Sequence, residues 1–316
     1  MGAVVTTSLA TRLRAEGIAQ VRADAPLAAL TTLRVGGPAR ALVTVERDAD
    51  LAAVGRVCLA AGAPWAVVGR GSNLLVADAG FPGVVVVLGR GYRGLELLGP
   101  QVRAGAAEPL PTLAVRLADA GYTGFAWACS VPGSLGGAVR MNAGAHGGEM
   151  ADHLVDAELV RLRTGTRETW PVATLGLRYR HSELPDDAVV VAATLRLGSG
   201  DPTAVRAEIA SIRDWRRRHQ PLNEPNCGSV FTNPDGDSAG RLVDQVAEAK
   251  GLTRGCARIS ERHANFIVTR PGATAADVHG LIVEVQRRVH TATGIRLRPE
   301  VTVLGDLTAP VGEAAG

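Results

Sequence analysis

The chain has 316 residues, 46% of them hydrophobic, which allows one large domain or two to three modest ones with ample core. Its 34 basic and 31 acidic residues leave a formal net charge of +3, too small an excess to argue for a nucleic-acid partner. No apolar run approaches the roughly 18 residues of a membrane helix, and the start, MGAVVTTSLATRLRAEG, lacks the basic flank and long apolar stretch of a signal peptide. A cytoplasmic protein with no membrane partner is therefore expected.

Lys250 is the single lysine among arginines, and both a surface survivor and a functional cation are open readings. Cys58, Cys129, Cys227 and Cys256 have no metal-ligand or CxxC spacing, and the histidines form no HxH or HxxxH pair. Neither a metal site nor a disulfide framework is expected.

In chain order, RALVTV (40–45) reads as a strand. Residues 48–62 read as a helix with Leu51, Val54, Val57 and Cys58 on one face and Asp48 or Asp50 near its start. WAVVG (65–69) reads as a second strand of a strand–helix–strand unit. FPGVVVVLG, GLELLG and VRAGA are short glycine-punctuated strands, and 110–120 a helix. The stretch 130–148 is too glycine-rich for a regular element and long for a bland loop. Strands are predicted at 155–163 and 188–197. GSGDP, near 200, is a plausible boundary. Beyond it the pattern predicts helices at 203–219, 238–249 and 274–292, and strands at about 228–232, 264–269 and 300–304. Thr274 and Asp277 form a plausible capping box, with Val278, Leu281, Ile282, Val285 and Val289 as the buried face of the last helix. A disordered tail is expected over 306–316.

Two loops carry the functional signal. In VVGRGSNLLV (67–76), Gly69 and Gly71 begin a GxGxxG pattern, but Leu74 holds the third position and no helix follows. No GK[ST] follows either. What remains is a nest of backbone N–H groups, with Arg70 for charge and Ser72 and Asn73 as extra donors, or simply a tight turn between strands. The second loop (Pro132, Gly133, Ser134, Gly136, Gly137, then Asn142, Ala143, Gly144) offers more bare backbone. Two such loops suit a large phosphate-bearing cofactor. A β-branched residue in place of Gly71 is expected to strip that cofactor while leaving the fold largely intact.

Six segments, in order, resemble the UDP-N-acetylenolpyruvoylglucosamine reductase family: TTLRVGGPA (31–39), VVGRGSNLLVAD (67–78), VPGSLGGAVRMNAGAHG (131–147), CGSVFTNP (227–234), SERHANFIV (260–268) and RPEVTVLG (298–305). The resemblance implies an α+β fold: a vanillyl-alcohol-oxidase-like FAD-binding domain over 20–200, with subdomains of about 20–80 and 81–200, and an α+β substrate-binding domain over 201–305. It implies noncovalent FAD, with NADPH as reductant and a nucleotide-sugar substrate. The short span from Arg180 to Ser229 implies the branch without an extra substrate-region loop.

The family's reaction reduces an enolpyruvyl ether on UDP-N-acetylglucosamine to a lactyl ether, for peptidoglycan precursors. By resemblance, Ser229 donates the proton and Arg180 polarises the carboxylate with its planar donor face. Glu300 stands opposite, as a protonated donor or a positioning group. Tyr179, Gln220, Asn233 and Lys250 are candidates for the uridine and phosphates. Three positions depart from the family's frequent residues: His219, Thr232 and Ala126. They leave open a paralogue acting on another substrate, and a non-redox nucleotide-binding protein remains a further alternative. Oligomeric state is left open.

Overall fold

The computed structural model describes residues 7–308, which group into two compact units. The first takes the described residues up to Ala25, then Ala39–Gly69 and Pro82–Ile212. The second takes Pro26–Pro38, Arg70–Phe81 and the described residues from Arg213 onward.

The first unit contains two sheets. Strands Gln20–Pro26, Pro38–Val45, Phe81–Leu88 and Trp65–Val67 lie in that spatial order. The expected strand–helix–strand unit is present, with helix Asp48–Ala61 at its centre, but Phe81–Leu88 sits between its two strands and runs parallel to Trp65–Val67. The helix buries Leu51, Val54, Val57 and Cys58, as their spacing requires, and stops at Gly62 in the left-handed conformation. The second sheet is antiparallel, in the order Arg167–Pro171, Leu154–Arg161, Ala188–Arg196, Gln101–Gly105, Leu95–Leu98. Its central strand is apolar almost throughout because both faces are buried. Ala193 and Leu195 join a core with Leu113 and Leu117 of helix Leu110–Asp119, while Val189 and Val191 join a core with Val43, Val54 and Val84.

The glycine-rich stretch corrects one expectation, since Leu135–Arg140 forms a short helix there. Ser134 caps it by accepting from Gly137 N, and buried Leu135 and Val139 anchor it. Gly136 also has a packing reason: a Cβ there would stand 2.9 Å from Ala106 Cβ.

In the second unit, helix Ala275–Thr293 carries the expected capping box and buries Val278, Leu281, Ile282, Val285 and Val289. The predicted 238–249 helix is shorter, Ala239–Arg241 running into a π turn at Leu242–Val246. The strand expected near 228–232 is absent. Phe231 there makes a single bridge to Pro299, and Asn226, just ahead of the segment, bridges Val268. Ala257–Ile259, unforeseen, pairs antiparallel with Ile267–Thr269. Leu74–Val76 pairs parallel with Thr302–Leu304. Of the expected tail, residues 309–316 lie outside the described residues, while Thr308 bonds Asp306 in a turn and Leu307 packs on the core.

Candidate active site

The opening glycine loop follows strand Trp65–Val67. Val68 N still bonds Val86 O, and regular pairing then ends. Among the described residues no acceptor takes the N–H groups of Gly69, Gly71, Ser72 and Asn73. Folded proteins rarely leave a run of N–H groups unpaired, and such a run is a site for an anion.

The glycines of this loop differ in purpose. A Cβ on Gly69 would stand 2.5 Å from Ser134 Oγ, so within the first unit the two glycine loops meet with no room for a side chain. Gly71 is buried at φ +60°, where a Cβ would lie 1.9 Å from Leu30 O. Thr32 N also bonds Gly71 O at 3.1 Å. Gly71 is therefore required by packing of the Leu30–Thr32 turn, and the expectation that its replacement spares the fold is corrected.

Other expected cofactor residues divide in the same way. Gly136 spends its N–H on Ala106 O, and Ala143 spends its N–H on Ala138 O. Asn142 is fully buried at φ +40°; its Nδ2 donates to Arg178 O and its Oδ1 accepts from Ala151 N. Its side chain braces the loop from within. Pro132 and Gly137 are exposed, and Gly133 and Gly144 half-buried. Asn73, expected as an extra phosphate donor, points its Nδ2 at Glu300 O, 3.0 Å away.

Arg180 sits at the apex of a tight turn closed by reciprocal bonds between Arg178 and His181. Its φ of +55° is uncommon for a residue with a β-carbon, and such strain concentrates at functional sites. Its guanidinium donates to Gly144 O at 2.6 Å and stacks on exposed Tyr179, 4.8 Å from the ring centre.

In the second unit Ser229 and Glu300 occupy facing segments. Glu300 N donates to Val230 O at 2.7 Å, Phe231 bridges Pro299, and Thr232 N bonds Arg298 O. Gly228 turns the chain before Ser229 at φ +76°. Among the described residues nothing bonds the Ser229 hydroxyl. Buried Asn265 braces this segment: its amide exchanges bonds with Phe231 N and Phe231 O, and its carbonyl accepts from Val230 N. Sequence reasoning quoted its motif and missed its role. Burial pushes the neighbouring Cys227 thiol up to about 12, keeping it neutral beside Glu300.

The expected nucleotide contacts of the second unit have local partners. Gln220 Oε1 accepts from Arg216, Asn233 Oδ1 from Ala239 N, and Lys250 pairs with Asp244 Oδ2 at 3.1 Å. Burial lowers the His263 pKa, and the positive charges of Lys250 and His219 act in the same direction. Among the described residues no group of His, Cys, Asp and Glu could hold a metal ion, and no helix is long and apolar enough to cross a membrane.

Residues 39–169 match the model of an FAD-binding domain, and residues 220–304 match the C-terminal domain of UDP-N-acetylenolpyruvoylglucosamine reductase. The reductase of a Methylorubrum extorquens strain is 44% identical over 285 residues, covering 90% of this chain and 91% of that protein. The chain belongs to the UDP-N-acetylenolpyruvoylglucosamine reductase family. The Heliobacterium modesticaldum reductase is 45% identical over 287 residues, covering 89% of this chain and 90% of its own. The crystal structure of the Thermus caldophilus reductase superposes with a TM-score of 0.78 at 37% identity, covering 90% of this chain and 98% of that one. Membership in the reductase family makes the chain a flavoprotein oxidoreductase. The open N–H run at Gly69–Asn73 and the bare contact of Gly69 with Ser134 fit the diphosphate of FAD.

Proposed function

We propose that the protein reduces UDP-N-acetylglucosamine enolpyruvate to UDP-N-acetylmuramate with NADPH and noncovalently held FAD, a cytoplasmic step toward peptidoglycan. The observation that carries this reading is the run of unpaired N–H groups at Gly69, Gly71, Ser72 and Asn73 in a chain of this reductase family. On this reading residues 20–200 serve the flavin and 201–305 the substrate.

The N–H groups of Gly69 to Asn73 would hold the diphosphate, with Arg70 supplying positive charge. Exposed Gly137, with Pro132, Gly133 and Ser134, would leave bare backbone against the same cofactor. Bound FAD would supply hydride chemistry between NADPH and the enolpyruvyl alkene. Negative charge then develops at the carbon beside the substrate carboxylate. Arg180 faces this carboxylate with a planar two-pronged donor and draws off the charge. Ser229 Oγ delivers the proton to that carbon. A hydroxyl is a weak acid, yet it suffices against a strongly basic enolate-like centre when held in place. Glu300, one step across from Ser229, orients the carboxylate. Tyr179, Gln220, Asn233 and Lys250 would serve the uridine diphosphate.

A second substrate is favoured by one observation: Thr232, at a position where the family resemblance implies a basic side chain, turns its hydroxyl onto Arg298 O. The test is an anaerobic spectrum of the purified protein. NADPH should bleach the yellow flavin band, and the enolpyruvyl substrate should restore it. A band that bleaches and stays bleached points to another substrate. The absence of a band after FAD is supplied would overturn the reading.

A further inference from the structure

Asn73 stands between the opening glycine loop and the segment that carries Glu300. Its Nδ2 donates to the Glu300 carbonyl at 3.0 Å, and its own carbonyl accepts from Thr302 N at 3.1 Å. These bonds bracket Val301 and begin the parallel pairing of Leu74–Val76 with Thr302–Leu304. On its other side the Glu300 segment is held by Glu300 N on Val230 O, the residue after Ser229. The peptide of Glu300 is thus fixed from two sides, by Asn73 and by Val230. The loop itself is pinned, with Gly71 O taking Thr32 N and the Asp78 carboxylate taking Ala275 N and Ala276 N at 2.7 and 2.9 Å. Meanwhile the backbone N–H of Asn73 belongs to the unpaired run.

We infer that Asn73 is a positioning residue for reduction of the alkene: its backbone faces the flavin, while its side chain sets where the Glu300 carboxylate meets the substrate. The inference rests on the reductase reading above. Two different groups of one residue carry the two roles. Truncating the side chain removes one role and keeps the other, because Asn73→Ala retains the backbone N–H. A misplacement of about 1 Å at a reacting centre can cost on the order of 100-fold in rate.

The experiment separates the two half-reactions by stopped flow, with FAD content and Tm measured alongside. In Asn73→Ala, flavin content and the rate of bleaching by NADPH should stay within about twofold of the wild type. Reoxidation by the enolpyruvyl sugar nucleotide should slow about 10- to 100-fold. Asn73→Ser, which is smaller and retains a hydroxyl donor, serves if the alanine variant is unstable, and should show the same split less strongly. Loss of flavin, or equal slowing of both halves, would make Asn73 a cofactor or scaffold residue and overturn the inference. So would unchanged reoxidation. If the wild type itself fails to reoxidise with this substrate, the reductase reading falls and takes the inference with it.

Discussion

Ser134 holds its Oγ 2.5 Å from the point where a β-carbon on Gly69 would stand. That neighbour is the end of a side chain, which can yield by giving up its cap on helix Leu135–Arg140. Gly71 faces backbone instead, with Leu30 O at 1.9 Å and a φ of +60°. Gly69→Val should therefore weaken FAD binding at least tenfold and cost only about 1 kcal/mol of stability, the loss of one helix cap. Gly71→Val should destabilise the protein by roughly 3 kcal/mol. Flavin absorbance per protein and urea unfolding separate the two.

Ser229 carries a hydroxyl with no protein partner among the described residues, on a segment braced by Asn265. Ser229→Ala should leave flavin reduction by NADPH intact and slow reoxidation by the enolpyruvyl substrate about 100- to 10,000-fold, the range of a positioned proton donor. Single-turnover absorbance measures both steps. Equal loss in the two steps would place the hydroxyl elsewhere in the chemistry.

Asp78 takes two N–H groups at the start of helix Ala275–Thr293, in addition to the Thr274–Asp277 capping box. Those first-turn donors have no partner within the helix. Asp78→Ala should cost about 2 kcal/mol in urea unfolding, more than an ordinary exposed cap. Thr274→Ala should cost about 1 kcal/mol.

Burial beside Phe125 and Trp127 lowers the His153 pKa below 6.5, against the pull of Asp152 and backbone groups of Arg196 and Gly124. In the unfolded chain this imidazole takes up its proton first as pH falls. Its contribution to stability is full above about 6.5 and is lost as pH drops from there through the lower folded value. Tm should decline as the pH falls below about 6.5. His153→Gln should flatten the decline, and His263, shifted in the same direction, should account for part of what remains.

The residues most legible in the sequence are those whose partners are near in the chain. Thr274 finds Asp277 three residues on, and the apolar period of the helix they cap is complete in itself. The glycine loops read as backbone open to a ligand, yet the reason for each glycine was not legible. Gly71 answers to Leu30, a contact that depends on how the chain returns. Asn73 read as a phosphate donor because its partner, Glu300 O, lies 227 residues away. The bracing by Asn142 was hidden for a similar cause: a polar residue among glycines suggests a ligand, and the partners of its amide, Arg178 and Ala151, come from how the chain returns. The 228–232 segment has the β-rich composition of a strand, and its bonds go instead to the Asn265 side chain and backbone and to a single bridge at Phe231.

The chain passes between its two units after Ala25, Pro38, Gly69, Phe81 and Ile212. Leu74–Val76 is therefore made early in synthesis and must wait for Thr302–Leu304 to leave the ribosome before it can pair. Thr269 Oγ1 on Leu33 O spans a similar separation of 236 residues. Such closures are slow, because the entropy of a long loop is lost before any contact rewards it. A product arrested ahead of residue 302 would lack the anchor of the very loop that greets the cofactor. Added flavin should then rescue late folding of the complete chain and do nothing for a fragment.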